Sequence, residues 1–63
     1  MNNHKFIVIY GEHDPFIRYC HDDDEVRNAI NEIFAQYGVV MLGDLEIIEI
    51  ASRKKMDDFF SNL

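Results

Sequence analysis

The stretch 22–38, DDDEVRNAINEIFAQYG, admits few structures other than an amphipathic helix. Val26, Ala29, Ile30, Ile33, Phe34 and Tyr37 fall at i, i+3, i+4, i+7, i+8 and i+11, which is one apolar stripe on the 3.6-residue period. Glu25, Arg27, Asn28, Asn31, Glu32 and Gln36 take the opposite side. The ends carry their own signals. Asp22 is placed to cap the free backbone N–H groups, and Glu25 three residues later completes a capping box. Asp23 and Asp24 then sit at the positive end of the helix dipole, and Gly38 supplies a left-handed stop.

The flanking segments read as strands. Lys5 to Tyr10, KFIVIY, is dense in β-branched and aromatic residues. Gly11 to Pro15 is a turn, because glycine permits the reversal and proline cannot continue a ladder. Phe16 to Cys20 is then the return strand of a hairpin. Alternation puts Ile17 and Tyr19 on one face and Phe16, Arg18 and Cys20 on the other. Burying an unpaired arginine is costly, so Ile17 and Tyr19 are expected against the helix.

Beyond Gly38 two readings are open: one long excursion leading to a single strand at Leu45 to Ile50, or a two-residue turn at Gly43-Asp44 joining Val39 to Leu42 to that strand. A definite strand at 45–50 with a weaker, edge strand at 39–42 is preferred. The adjacent Ile47 and Ile48 break strict alternation. Either a bulge resets the pleat, or both faces meet apolar neighbours, as at a dimer interface. Ala51 to Leu63 closes the chain with a second helical pattern, capped by Ser52 and carrying Met56, Phe59, Phe60 and Leu63 on one side. Arg53, Lys54 and Lys55 lie at the wrong end for its dipole, so this helix needs a surface to dock on. The fold class is α+β: a single small domain over 1–63, a small antiparallel sheet with the main helix on one face, in the order β-β-α-(β)-β-α.

Size matters for what such a chain does. A single core at 63 residues contributes roughly 3–5 kcal/mol net. Cys20 is the only cysteine, which excludes an internal disulfide and points to a reducing cytosol. A homodimer, or attachment to a larger host protein, is therefore expected as a further source of stability. No apolar run approaches the roughly 20 residues that cross a bilayer. The net charge of −6 argues against direct binding to nucleic acid or to an anionic membrane.

The run Cys20-His21-Asp22-Asp23-Asp24-Glu25 offers thiolate, imidazole and carboxylates as metal ligands or as nucleophile and base. Cys20 and His21 are adjacent at a strand end and point in different directions, and the aspartates already have a capping role. His13-Asp14 in the first turn lacks a water-excluding pocket. Phosphate-binding glycine loops, G-x-S-x-G and H-E-x-x-H are all absent from the sequence. No enzymatic activity, metal or cofactor is expected.

Two surfaces remain. Glu12, Asp14, Asp22, Asp23, Asp24, Glu25 and Glu32 are the candidate partner-binding residues, a negative surface for the lysines and arginines of a nucleic-acid-binding protein. Solubility alone also accounts for such carboxylates. Phe16, Ile48, Met56, Phe59 and Phe60 are candidates for an apolar interface. The alternative to an acidic-surface inhibitor is accordingly a homodimeric regulatory module, with contact through the 45–50 strand and the last helix.

The hairpin from Lys5 to Cys20, the acidic-capped helix from Asp22 to Tyr37 and the strand from Leu45 to Ile50 give an outline that resembles the small acidic early proteins of bacteriophages. It is similar in outline to phage inhibitors of bacterial RNA polymerase and to phage DNA mimics that block nucleoid proteins such as HU. The resemblance implies stoichiometric inhibition by binding in the host cytoplasm, without turnover or cofactor.

Overall fold

The computed structural model describes residues 4–56. Strands β1 (Phe6–Tyr10) and β2 (Phe16–Cys20) lead into helix α1 (Asp23–Tyr37). A 3-10 turn (Leu42–Asp44) then precedes β3 (Leu45–Glu49) and the short β4 (Lys54–Lys55). The sheet order is β2-β1-β3-β4 and every neighbouring pair is antiparallel. The protein is thus an α+β domain with one main helix on a four-stranded antiparallel sheet. Since β2 and β3 both run against β1, they are parallel to each other. The unit β2-α1-β3 is a split crossover with β1 inserted between its strands.

The helix forms where its pattern puts it. Asp22 is extended and its Oδ1 accepts the Glu25 N–H at 2.9 Å, while Glu25 Oε1 accepts the His21 N–H at 2.9 Å. These reciprocal bonds satisfy donors that the first turn would otherwise leave open. At the other end Gly38 adopts φ 80° and donates its N–H to the Phe34 carbonyl at 2.8 Å. Only glycine takes that conformation without strain.

Alternation along β1 sends Phe6, Val8 and Tyr10 into the core. The register places Cys20 beside Phe6 and Ile47 beside Val8, and Val26, Ala29 and Ile33 close the core from α1. The face expected for β2 is reversed. Ile17 (52% exposed) and Tyr19 (49%) lie on the side away from the helix, whereas Cys20 is fully buried and Phe16 packs against the core. Arg18 shares the helix side without being buried. β2 is an edge strand, so its side chain reaches out past the sheet and meets Glu32 of α1 at 2.6 Å, both groups about half exposed. The cost of burying a cation, the basis of the expectation, does not arise at an edge.

Two later elements also differ from expectation. Residues 39–41 form no strand, and 42–44 make a 3-10 turn. The partner expected for 39–42 is β3, through a turn at 43–44, but those residues are in the 3-10 turn, and the edge of β3 away from β1 bonds Met56 and β4 from Ile47 to Glu49. β3 is unbulged, with five consecutive register pairs to β1, and its isoleucines split: Ile47 enters the core and Ile48 lies half-buried on the opposite face. β1 flanks β3 along its whole length, whereas on the other side β4 pairs only with Ile48 and Glu49, and Met56 bonds Ile47.

The segment after β3 reverses instead of starting a helix. Arg53 takes φ 59° and its N–H bonds the Glu49 carbonyl at 2.7 Å, and the Ser52 hydroxyl donates to the Glu49 carboxylate at 2.6 Å instead of capping. Three cations at a helix start oppose the dipole, whereas the hairpin lets Lys55 pair with Glu46 at 3.3 Å. Met56 follows, donating its N–H to the Ile47 carbonyl at 2.6 Å and packing against the core. Phe59, Phe60 and Leu63, expected on the last helix, lie outside the described residues.

Candidate interaction surfaces

Strand register divides the molecule into two ends. At one, Phe6 sits beside Cys20 and Glu49; at the other, Tyr10 sits beside Phe16 and Leu45. The four residue rises along each five-residue strand make these ends about 13 Å apart. α1 begins at the Phe6 end, directly after β2. It finishes at the Tyr10 end, where the rings of Tyr37 and Tyr10 are 5.4 Å apart.

The seven carboxylates singled out from the sequence do not form one patch. Asp22, Asp23, Asp24 and Glu25 gather at the helix start, at the Phe6 end. Glu12 and Asp14 lie in the turn at the Tyr10 end. Glu32 sits between them along the helix and is held by Arg18. Asp24 is paired with Arg27 at 3.3 Å, and an open depression beside it is lined by Lys5, Phe6, Asp22, Asp23, Asp24 and Arg27. The anionic helix start is therefore interleaved with cations, while Asp23 stays open to solvent.

Cys20 is fully buried among apolar side chains. Burial pushes its thiol above the ordinary value, with the Glu25 carboxylate adding to the effect and Arg18 opposing it. Such a thiol is a poor nucleophile and a poor metal ligand. His21 faces outward, its ring 4.5 Å from that of His4. Among the described residues, no group of three or more His, Cys, Asp and Glu side chains is placed to hold a metal ion. Among them also, no helix is long and apolar enough to cross a membrane.

Of the apolar interface candidates, Phe16 and Met56 pack partly against the core, Phe16 with the Arg18 guanidinium 5.1 Å from its ring centroid. Ile48 lies on the helix-free face with Ile17 and Tyr19, and Phe59 and Phe60 are outside the described residues. A second apolar surface was not anticipated. Phe34, Tyr37, Val39, Met41 and Leu42 are all exposed, Leu42 at 61% and Phe34 at 58%. Periodicity had assigned the first two to the core and strand propensity had paired the others. The available signal was Gly38, which ends the helix directly after Tyr37 and opens a connection that is not a strand.

Tyr10 holds this surface together. Its ring is buried and its hydroxyl, at the end of β1, accepts the Met41 N–H at 3.0 Å and donates to the Val39 carbonyl at 3.4 Å. Comparisons with protein-family models, with curated proteins and with solved structures found no match.

Proposed function

We propose that the protein is a non-enzymatic inhibitor or modulator that acts by binding a basic, DNA-handling surface of a host protein in the cytoplasm, such as a nucleoid protein or RNA polymerase. It resembles in outline the small phage proteins that work in this way. The observation that carries the proposal is the fixed anionic helix start. Asp22 and Glu25 are locked by the capping box, with Asp23 and Asp24 exposed beside them. Carboxylates held in place on a helix lose little entropy on meeting lysines and arginines.

Magnitudes refine the proposal. Duplex DNA carries about eight charges over 13 Å of axis. The carboxylates here are sparser, and Arg18 and Arg27 neutralise two of them. The surface suits a local cluster of cations better than a long duplex-binding groove. Asp23→Asn with Asp24→Asn tests this while sparing the cap. The wild-type protein is used as bait in nuclease-treated bacterial lysate at low and high salt. Capture of a basic nucleic-acid-binding protein that is released by salt and lost in the double variant supports the proposal. Equal capture by the variant, or none by either, refutes it.

A further inference from the structure

We infer that the Tyr10 end is a docking surface for a basic amphipathic segment of a partner protein: Phe34, Tyr37, Met41 and Leu42 take its apolar side chains and the surrounding carboxylates take its lysines and arginines. The inference shares with the proposed function only the sign of the partner's charge. It uses the opposite end of the molecule.

Continuity comes first. Phe34 and Tyr37 are one turn apart on α1, Tyr37 leans on Tyr10, and the Tyr10 hydroxyl ties down 39–41. The exposed side chains thus stand on one supported platform. Aromatic and methionine side chains are the types that dominate interface energetics, and methionine adapts to varied partners. An apolar surface of this kind on a small protein marks an interaction site.

Charge then selects the occupant. Asp44 closes the 3-10 turn directly after Leu42 and Gly43, and its carbonyl accepts the Gly11 N–H at 3.1 Å. That bond brings the turn bearing Glu12 and Asp14 against the same end, and all three carboxylates are exposed. Four of the six lysines and arginines of the chain lie elsewhere, and the two that reach toward this end are already paired. Lys5 precedes β1, Arg53 and Lys54 lie beside the far end of β3, and Arg27 pairs with Asp24. Arg18, its guanidinium 5.1 Å from the Phe16 ring, is held by Glu32, and Lys55 is held by Glu46 on the helix-free face. The turn bearing Glu12 and Asp14 carries a single basic side chain, the His13 imidazole. An apolar platform rimmed by carboxylates repels nucleic acid, an anionic bilayer and a second copy of this chain, whose net charge is −6. It complements a segment in which apolar residues at helical spacing alternate with lysine or arginine. Because 38–44 presents side chains rather than a free strand edge, the fit is to a helix.

The test titrates the full-length, isotope-labelled protein with a synthetic peptide of leucine and lysine at helical spacing. A permuted peptide of the same composition, with leucines scattered around the helix, is the control. The expected dissociation constant is on the order of 10 µM at physiological salt, with amide shifts concentrated at 34–44. Met41→Ser with Leu42→Ser changes only exposed side chains, and it is expected to weaken binding by about tenfold or more. Asp23→Asn with Asp24→Asn is expected to leave binding within about twofold, since exposed charges at that distance are screened. Equal affinity for the permuted peptide, shifts centred on 22–25, or no binding at millimolar peptide overturns the inference. Loss of binding in the aspartate variant together with full binding by the Met41/Leu42 variant also overturns it, while leaving the proposed function standing. Self-association that buries 34–44 and excludes the peptide overturns it in favour of a homodimer.

Discussion

Replacing Tyr10 with phenylalanine tests how the loop after α1 is held. The substitution keeps a buried ring of nearly the same volume and removes one oxygen. That oxygen serves two backbone groups, accepting the Met41 N–H at 3.0 Å and donating to the Val39 carbonyl at 3.4 Å. A hydrogen bond contributes about 0.5–1.5 kcal/mol net, and the longer of these falls at the weak end of the geometric range. Together they amount to about 1–2 kcal/mol. Set against the roughly 3–5 kcal/mol available to a core of this size, that is a large fraction. At about 4–8 °C per kcal/mol for a domain of 60–100 residues, the melting temperature is expected to fall by about 5–15 °C. Urea unfolding followed by circular dichroism gives the free energy, and its slope is expected to stay unchanged because the buried area is conserved. Hydrogen exchange at the Met41 amide provides the local readout, with protection lost in the variant. An unchanged melting temperature with Met41 still protected would refute the reasoning, since the loop would then be held by something other than the hydroxyl.

Two further perturbations probe the helix start and the core. Asp22→Ala removes the acceptor of the Glu25 N–H and is expected to cost about 1 kcal/mol in urea unfolding. Asp23→Ala, which loses only the dipole interaction of an exposed group, is expected to cost less. The Cys20 thiol titrates higher in the folded protein than in the unfolded chain, chiefly because of burial. The folded state therefore holds the proton more tightly. The associated stability is fully present below the unfolded value near 9.0 and is lost progressively as pH rises from there through the raised folded value. Unfolding curves between neutral and alkaline pH are expected to show this decline, and Cys20→Ala to flatten it. An identical slope in the variant would assign the decline to other groups.

The helix was legible because its signals agree with one another. Asp22, Glu25 and Gly38 act locally, and the structure uses each of them as its position suggests. The hairpin was legible for the same reason, with Pro15 ending the turn before the return strand. What escaped sequence reasoning depended on position within the sheet. Arg18 was read as though β2 were enclosed, but at an edge a cation can share the core-facing side and still meet water and Glu32. Residues 39–42 have the composition of a strand, yet the 3-10 turn at 42–44 replaces the hairpin turn, and the edge of β3 they would have joined goes to Met56 and β4. The segment after Ile50 has the periodicity of a helix, and within the described residues a tight reversal at Arg53 returns it to β3. The acidic residues were all visible in sequence. Their separation into two ends became clear only from the strand register.

The split crossover has a consequence for the chain as it leaves the ribosome. β1 and β2 need only the short turn between them to pair, and α1 follows at once. The other edge of β1 waits for β3, whose partner residues are made roughly forty positions later, which at typical elongation rates is an interval of several seconds. During that interval β1 carries an unpaired apolar edge, which α1 shields only once that helix is complete at Tyr37. The unpaired strand is itself the template on which β3 later registers.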